Sequence, residues 1–243
     1  MKHQKRSFLY GKNSILERLR VNPKSIKRVY LQDNFNVGSI LNLVTKHKIP
    51  TQKVREKELY RIKRADRLQG ILAEVYKFEY TPLEELISEG KNSTTSIIFL
   101  DDINDPHNLG SLLRITACFG DFALVIPRHS SCEVTDSVMH VASGGENYTP
   151  IAQVSNTVNA IIKAKDAGFW IAGTVVEGGE NINTKSLLFP IGLVLGSEGR
   201  GIKPAIIKHL DMKITLPMKG AQLSFNVAMA GAVFCHEIDR QRS

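Results

Sequence analysis

Short apolar runs alternate with stretches of helical spacing along the whole chain, and this alternation predicts an α/β protein. Residues 8–20 read FLYGKNSILERLR, a strand edge closing in Tyr-Gly and then an amphipathic helix. Residues 26–31 and 68–75 read as strands, with a helix over 38–47 between them. After a polar interval the apolar runs resume. Ser96–Leu100 reads as a buried strand, and another run leads from Phe169 and Trp170 to Thr174. Those two aromatics, just ahead of a strand, read as core rather than as a platform for stacking bases. A further run opens at Ile191, and a last short strand covers 213–216. The chain closes in a helix over 226–238, small-residued and apolar enough to be buried against core or partner.

Two of these strands end in loops that contain glycine and carry polar side chains. The first reads GSEGRG from Gly196 to Gly201, with one acid, Glu198. The second enters the final helix through Ser224 and Asn226. Bare glycine backbone lets a ligand approach N–H and C=O groups, so the pair of loops predicts a small-molecule pocket lined by main chain. No Lys-Ser or Lys-Thr follows the glycines, which argues against a phosphate-cradling loop. A dinucleotide fold is disfavoured too, because its glycine turn opens a long series of strand–helix units and only about 45 residues remain. Its cofactor acid would stand about 20 residues on. The nearest candidate, Asp211, comes too early and starts a strand instead of ending one.

A third segment, LDDINDPHNLGSLLRIT, begins at Leu100. Asn104, Asp105 and Pro106 are turn residues, and His107 or Asn108 is the expected start of a helix with Leu109, Leu112 and Leu113 on its buried side. Asn108 and Arg114 are six residues apart, which places them roughly 120° apart around the helix. Both reach one strand-end crevice only if the helix lies across it. Taken singly, each feature has an ordinary explanation: a turn, an Asn cap, a solvated Arg.

Taken together, N-x5-R after a strand, LGSEGRGI, and LPMKG followed by S-F-N-V-A-M-A resemble the three motifs of the SpoU (TrmH-like) RNA ribose 2′-O-methyltransferases, S-adenosylmethionine enzymes of the SPOUT class. The segment ASGGENYTPI is similar to another stretch of that family, and Phe225 and Ala228–Met229 depart from its commoner Leu and Ser-Val. The resemblance implies a parallel sheet whose C-terminal segment forms a trefoil knot, a homodimer and S-adenosylmethionine as cofactor. It implies catalytic roles for Asn108, Arg114, Glu198, Ser224 and Asn226. Main chain of Thr174, Leu195, Gly196, Leu216 and Met218, with the side of Phe225, would meet the cofactor. A guanidinium stays protonated near neutrality, so Arg114 is assigned positioning and electrostatic work ahead of proton acceptance. The front of the chain resembles the L30e-like substrate domain attached to many of these enzymes, the large-subunit ribosomal RNA guanosine type above all. The segment ADRLQGILAEV carries that likeness, with Leu68 where His is usual.

Charge supports the division. Residues 1–80 hold 19 Lys and Arg against 7 Asp and Glu, and the rest hold 13 against 17, so the net charge of +8 comes entirely from the front. Such a surplus grips a polyanion through its phosphates. Lys2, Lys5, Arg6, Lys12, Arg18, Arg20, Lys24, Lys27 and Arg28 form the densest group; Arg61, Lys63, Arg64 and Arg67 form the next. The expected division is a small α/β module over 1–78, a linker over 79–95 with Pro82 and Gly90, and a catalytic domain over 96–243. Three widely spaced cysteines argue against a disulfide framework and fit a reducing compartment, the cytoplasm. No apolar stretch is long enough for a bilayer, and no HExxH or Cys-x-x-Cys pattern predicts a metal. The expected function is methylation of a ribose 2′-hydroxyl in structured RNA, a guanosine of large-subunit ribosomal RNA first among targets. A transfer RNA substrate and a catalytically silent RNA-binding protein stay open as alternatives.

Overall fold

A computed structural model describes residues 6–242 apart from residues 93 and 222. The first module strings together β1 (Ser7–Tyr10), α1 (Lys12–Val21), β2 (Ile26–Gln32), α2 (Gly38–Lys46), β3 (Thr51–Val54), α3 (Glu56–Ile62) and β4 (Ile71–Val75). Its four strands lie in the order β1-β4-β2-β3. β4 runs antiparallel to both neighbours, while β2 and β3 are parallel. The strand expected over 68–75 starts at Ile71, and Leu68 ahead of it is buried in the core.

The polar interval is not an extended linker. It carries α4 (Leu83–Asn92), whose Leu83, Leu86 and Ile87 are buried against Ile97, Phe99 and Phe169. Pro82 stands just before the helix, where a proline is tolerated, so it starts α4 instead of breaking it. Gly90 permits close contact: a Cβ there would stand 2.6 Å from the Phe169 ring.

The second module follows with β5 (Ser96–Leu100), α5 (Pro106–Phe119), β6 (Phe122–Pro127), α6 (Asp136–Ala142), β7 (Ile151–Val154), α7 (Thr157–Asp166), β8 (Trp170–Thr174), β9 (Glu180–Asn181), β10 (Ile191–Leu195), α8 (Pro204–Ile207), β11 (Met212–Thr215) and α9 (Val227–Arg242). The strands form one sheet in the order β7-β6-β5-β10-β8-β11-β9, and every neighbouring pair is parallel. Helices cover both faces, so β5, β6 and β10 are buried along their whole length. Phe169 is core, as expected, but Trp170 is 43% exposed at the start of β8.

The two modules share a core. Leu9, Ile15 and Leu19 of the first belong to the same buried cluster as Val138 and Met139 of the second. Tyr10 stacks on His140 with ring centroids 4.1 Å apart, and the Tyr10 carbonyl lies 3.0 Å from the His140 ring. The backbone N–H of Phe8 donates to Asp136, which also pairs with Lys63. Arg18 does not belong to the RNA-gripping surface expected of it. It is 6% exposed and donates to Glu146 Oε1 at 2.9 Å, linking α1 to the turn after α6. Lys63 is likewise committed to its ion pair, and Lys2 and Lys5 lie outside the described residues. Burial pushes the Glu146 carboxyl above its ordinary range, and the nearby Arg18 guanidinium opposes that shift.

A buried ion pair is costly to break from one side, because the abandoned charge stays in a medium that solvates it poorly. Arg18→Met is therefore expected to lower the unfolding free energy by roughly 3–5 kcal/mol, while Arg18→Met combined with Glu146→Leu restores most of it. Urea denaturation of the three proteins checks this; a loss under about 1 kcal/mol in the single variant would mean the pair is solvated.

Candidate active site

The strand order of the second sheet reverses at its centre, between β5 and β10. In a parallel sheet a crevice opens beyond the carboxyl ends of the strands at such a reversal. Leu100 and Leu195 close β5 and β10 and pair in register there. The loop after β10 folds back on itself: Ser197 and Gly201 exchange backbone hydrogen bonds of 3.2 and 2.9 Å. A Cβ on Gly196 would lie 2.3 Å from the Gly201 carbonyl carbon, and Gly201 has a φ of 66°, so this hairpin needs glycine at both positions. Lys203, just beyond it, ties the loop to the end of β5. Its backbone N–H donates to Asp101 at 2.8 Å and its ammonium pairs with Asp101 and Asp102. Asp101 and Lys203 carry no local signal in the sequence, since 102 residues separate them and the β5–β10 pairing brings them together.

The helix after β5 starts at Pro106, ahead of the expected His107 or Asn108. Asp105 is its cap, accepting from the His107 N–H at 2.8 Å. Asn108 is thereby left free of capping and reaches across the crevice. Its amide donates to Glu198 Oε1 at 3.0 Å, and its oxygen accepts from Asn226 at 2.8 Å. The Asn226 amide also donates to Glu198 Oε1 at 2.6 Å. The Asn226 oxygen caps α9, accepting from Ala228 and Met229 at 2.9 and 3.3 Å. The Val227 N–H adds a longer contact of 3.4 Å to the same carboxylate oxygen. Glu198 thus sits where the N-termini of two helices converge.

Behind this cluster is a cavity of about 410 Å³. Thr174, Leu195, Gly196, Leu216, Met218 and Phe225 all line it, together with Glu198 and Ser224. Thr174 is fixed by donating to the Val194 carbonyl at 3.1 Å. Phe225 remains 50% exposed at the mouth. Val176, Ser197 and Arg200 also line the cavity and were not singled out from sequence; their only signal is adjacency to Thr174 and to the glycine loop. The walls are largely apolar with bare main chain between them, and they carry one carboxylate, Glu198, and one guanidinium, Arg200, a lining that suits a compact nucleoside-like ligand.

Arg114 is not part of this arrangement. It is exposed, has no side-chain partner among the described residues, and lines a different cleft with Asn13 and Glu17 of α1. The cause is helix geometry: six residues carry it about 9 Å down α5 and onto another face. Among the described residues no three His, Cys, Asp or Glu side chains gather as a metal set, and no helix is long and apolar enough to cross a membrane. Burial pushes the Cys235 thiol up to about 12, so it stays protonated.

A sequence model of the SpoU rRNA Methylase family matches residues 95–236, and one described as RNA 2′-O ribose methyltransferase substrate binding matches residues 8–81. An uncharacterized tRNA/rRNA methyltransferase of Synechocystis is 40% identical over 72% of this chain, which spans only 46% of that protein. A 23S rRNA (guanosine-2′-O-)-methyltransferase of Nitrosomonas europaea is 30% identical over 97% of this chain and 92% of its own. Among solved structures, the SpoU methyltransferase AviRb of Streptomyces viridochromogenes in complex with AdoMet superposes with a TM-score of 0.80 at 18% identity, covering 97% of this chain and 90% of that one. An RNA methyltransferase of the TrmH family from Porphyromonas gingivalis gives 0.78 at 24%, covering 98% and 91%.

The hairpin at Gly196 is the most constrained point of the cavity wall. Gly196→Ala forces a methyl group into the Gly201 backbone and is expected to cost roughly 1–3 kcal/mol. The same substitution should abolish binding of S-adenosylmethionine in calorimetry. A variant that binds it as the parent does would show that the hairpin does not shape the cavity.

Proposed function

The chain belongs to the SpoU rRNA methylase family, and from that premise we propose that it transfers the methyl group of S-adenosylmethionine to a ribose 2′-hydroxyl of structured RNA, a guanosine of large-subunit ribosomal RNA, in the cytoplasm. The observation that carries this reading is the network of Asn108, Glu198 and Asn226 at the mouth of a cavity lined by Thr174, Gly196, Leu216, Met218 and Phe225. The choice of guanosine draws on the Nitrosomonas relative and on the front-domain match.

When bound, S-adenosylmethionine supplies a methyl group on a cationic sulfur that is also its leaving group. The residues of this chain then have to hold and orient. Leu195, Leu216 and the ring of Phe225 would give apolar faces to an adenine, and main chain at Gly196 and Met218 would hold it. Glu198 keeps Asn108 and Asn226 in fixed orientation through Oε1, and its second oxygen has no partner among the described residues. Ser224, exposed at the cavity rim, is placed to accept or donate a hydrogen bond at the ribose. Arg114 holds the neighbouring phosphate and favours the alkoxide that develops as the hydroxyl gives up its proton to solvent water.

That role needs Arg114 beside a cavity it does not line in its own chain. The homodimer that belongs to this reading meets the need, with a second copy supplying the guanidinium. Its support is the apolar surface around the start of α9, where Leu223 is 71% exposed, Met229 65% and Val233 44%. The knotted C-terminal segment belongs to the same reading. From β11, two strands away from β10, the chain must return across the strand ends to place α9 against α5 and Asn226 on Asn108.

Arg114→Ala should abolish methyl transfer while leaving the affinity for S-adenosylmethionine within a few-fold. Mixing it with the inactive Glu198→Ala protein should restore activity, to about a quarter of the parent's, because each mixed dimer has one intact site. Residual activity near the parent's in Arg114→Ala alone would remove the arginine from the chemistry, and no recovery on mixing would place both residues in one protomer's site. The RNA grip is tested separately. Arg61, Arg64 and Arg67 are exposed, and replacing all three by Ala should lower the salt slope of RNA binding by about two to three. An unchanged slope would mean that RNA binds elsewhere.

A further inference from the structure

The cleft beside Arg114 is separate from the cavity at the strand ends, and the scheme above uses nothing of it except the guanidinium. It has a volume of about 300 Å³ and lies between α1 and the turn that follows α6. α1 forms one wall through Asn13 and Glu17. Gly144 is the floor, with a φ of 100°, and a Cβ there would stand 2.4 Å from the Glu17 Cβ. The first module is therefore seated on the second with no space for a side chain between them. At the rim stands Tyr148, 53% exposed, whose hydroxyl donates to Glu17 Oε2 at 2.8 Å. Arg20, itself half exposed, donates to Glu17 Oε1 at 2.6 Å. Two donors thus hold the carboxylate still, and since a carboxylate has about four lone-pair sites, acceptor capacity is left over.

An exposed aromatic ring, a fixed carboxylate and one guanidinium line this small cleft, with the Arg20 guanidinium against the carboxylate, and together they make up the chemistry that recognises an unstacked nucleotide. The ring offers a face to any base. The guanidiniums suit phosphate. The carboxylate can only accept, so it favours the base with two adjacent N–H donors on its pairing edge, and of the four bases that is guanine. We propose that this cleft seats the base of the target guanosine, stacked on Tyr148 with its N1–H and N2–H on Glu17 and the flanking phosphates on Arg114 and Arg20. The proposal rests on the guanosine reading of the function and adds how the base is chosen. It also gives the first module a part in specificity, since Glu17 belongs to that module.

The test uses the full chain and two labelled pentanucleotides, 5′-AAGAA-3′ and the same strand with inosine, which lacks the 2-amino donor, in place of guanosine. Fluorescence anisotropy should show the parent protein binding the guanosine strand about tenfold more tightly, the effect of one hydrogen bond to a charged group. Glu17→Gln should erase that preference. Tyr148→Phe keeps the stacking face and should bind the inosine strand within about threefold of the parent, yet lose part of the preference because Glu17 is then held by Arg20 alone. Tyr148→Ala should weaken both strands about tenfold. A parent protein that does not distinguish the two strands, or a Glu17→Gln protein that still does, overturns the proposal. Transfer of labelled methyl groups to unmethylated large-subunit RNA is scored in parallel with the parent protein. No transfer would remove the functional reading itself, whereas transfer without any guanosine preference in binding removes only this inference.

Discussion

One carboxylate oxygen, Glu198 Oε1, organises the centre of this molecule. It accepts from Asn108 on the helix after β5 and from Asn226 at the head of the last helix. These residues are 90 and 28 positions from Glu198 in the chain, so the contact exists only because β5 and β10 lie side by side and α9 returns to them. Reversal of strand order creates the crevice, and the carboxylate fixes its mouth. Two helix N-termini meet there, and the carboxylate aligns the two amides. Remove the carboxylate and the Asn108 side chain keeps only Asn226, which keeps its cap on α9 besides. The cavity behind them would then lose the register between its glycine hairpin and its second loop.

The joint between the modules imposes the second constraint. An Arg18–Glu146 pair, a Tyr10–His140 stack and a shared apolar cluster make the front module part of the same core instead of a tethered reader. A loosely linked RNA-binding domain raises only the local concentration of substrate. A seated one fixes where the substrate lies relative to the second sheet. The structure is of this second kind, with Glu17 packed on Gly144 and bonded to Tyr148. Removing the front module would expose the buried faces of α6 and the turn behind it, so charge substitutions on its surface probe its RNA grip more cleanly than truncation.

Much of this was legible in the sequence. The apolar runs marked the central strands within a residue or two, because both faces of a parallel sheet are covered and the runs are continuous. The glycine loops marked the strand ends, because a chain that doubles back within Van der Waals contact tolerates no Cβ at Gly196. What failed to show was whatever depends on burial by distant residues. Pro82 and Gly90 read as breakers, yet one precedes a helix and the other admits the Phe169 ring. Arg18 read as one more surface cation, since charge alone does not reveal a carboxylate 128 positions away. Asp101 and Lys203 carried no local signal at all. Asn108 read as a possible cap because the competing Asp105 was assigned to the turn.

The same helix periodicity that hides Arg114 from its own cavity explains why a single copy is an incomplete catalyst in this reading. α5 must present its first turn to Glu198, and its buried side is committed to Leu109, Leu112 and Leu113. The face that remains for Arg114 looks toward α1 and Tyr148. No rotation of the helix could satisfy all three demands, since turning the arginine into the cavity would expose the leucines and withdraw Asn108. On the proposed reading the chain instead keeps two half-sites, one to hold the cofactor and one with a guanidinium beside a nucleotide-sized cleft. Exposed apolar side chains at Leu223, Phe225, Met229 and Val233 border the cofactor half. On a protein that stayed monomeric they would be a liability in water. On one that pairs with itself they supply the burial that brings the two kinds of half-site together, and catalysis then depends on the concentration of the protein as well as on its fold.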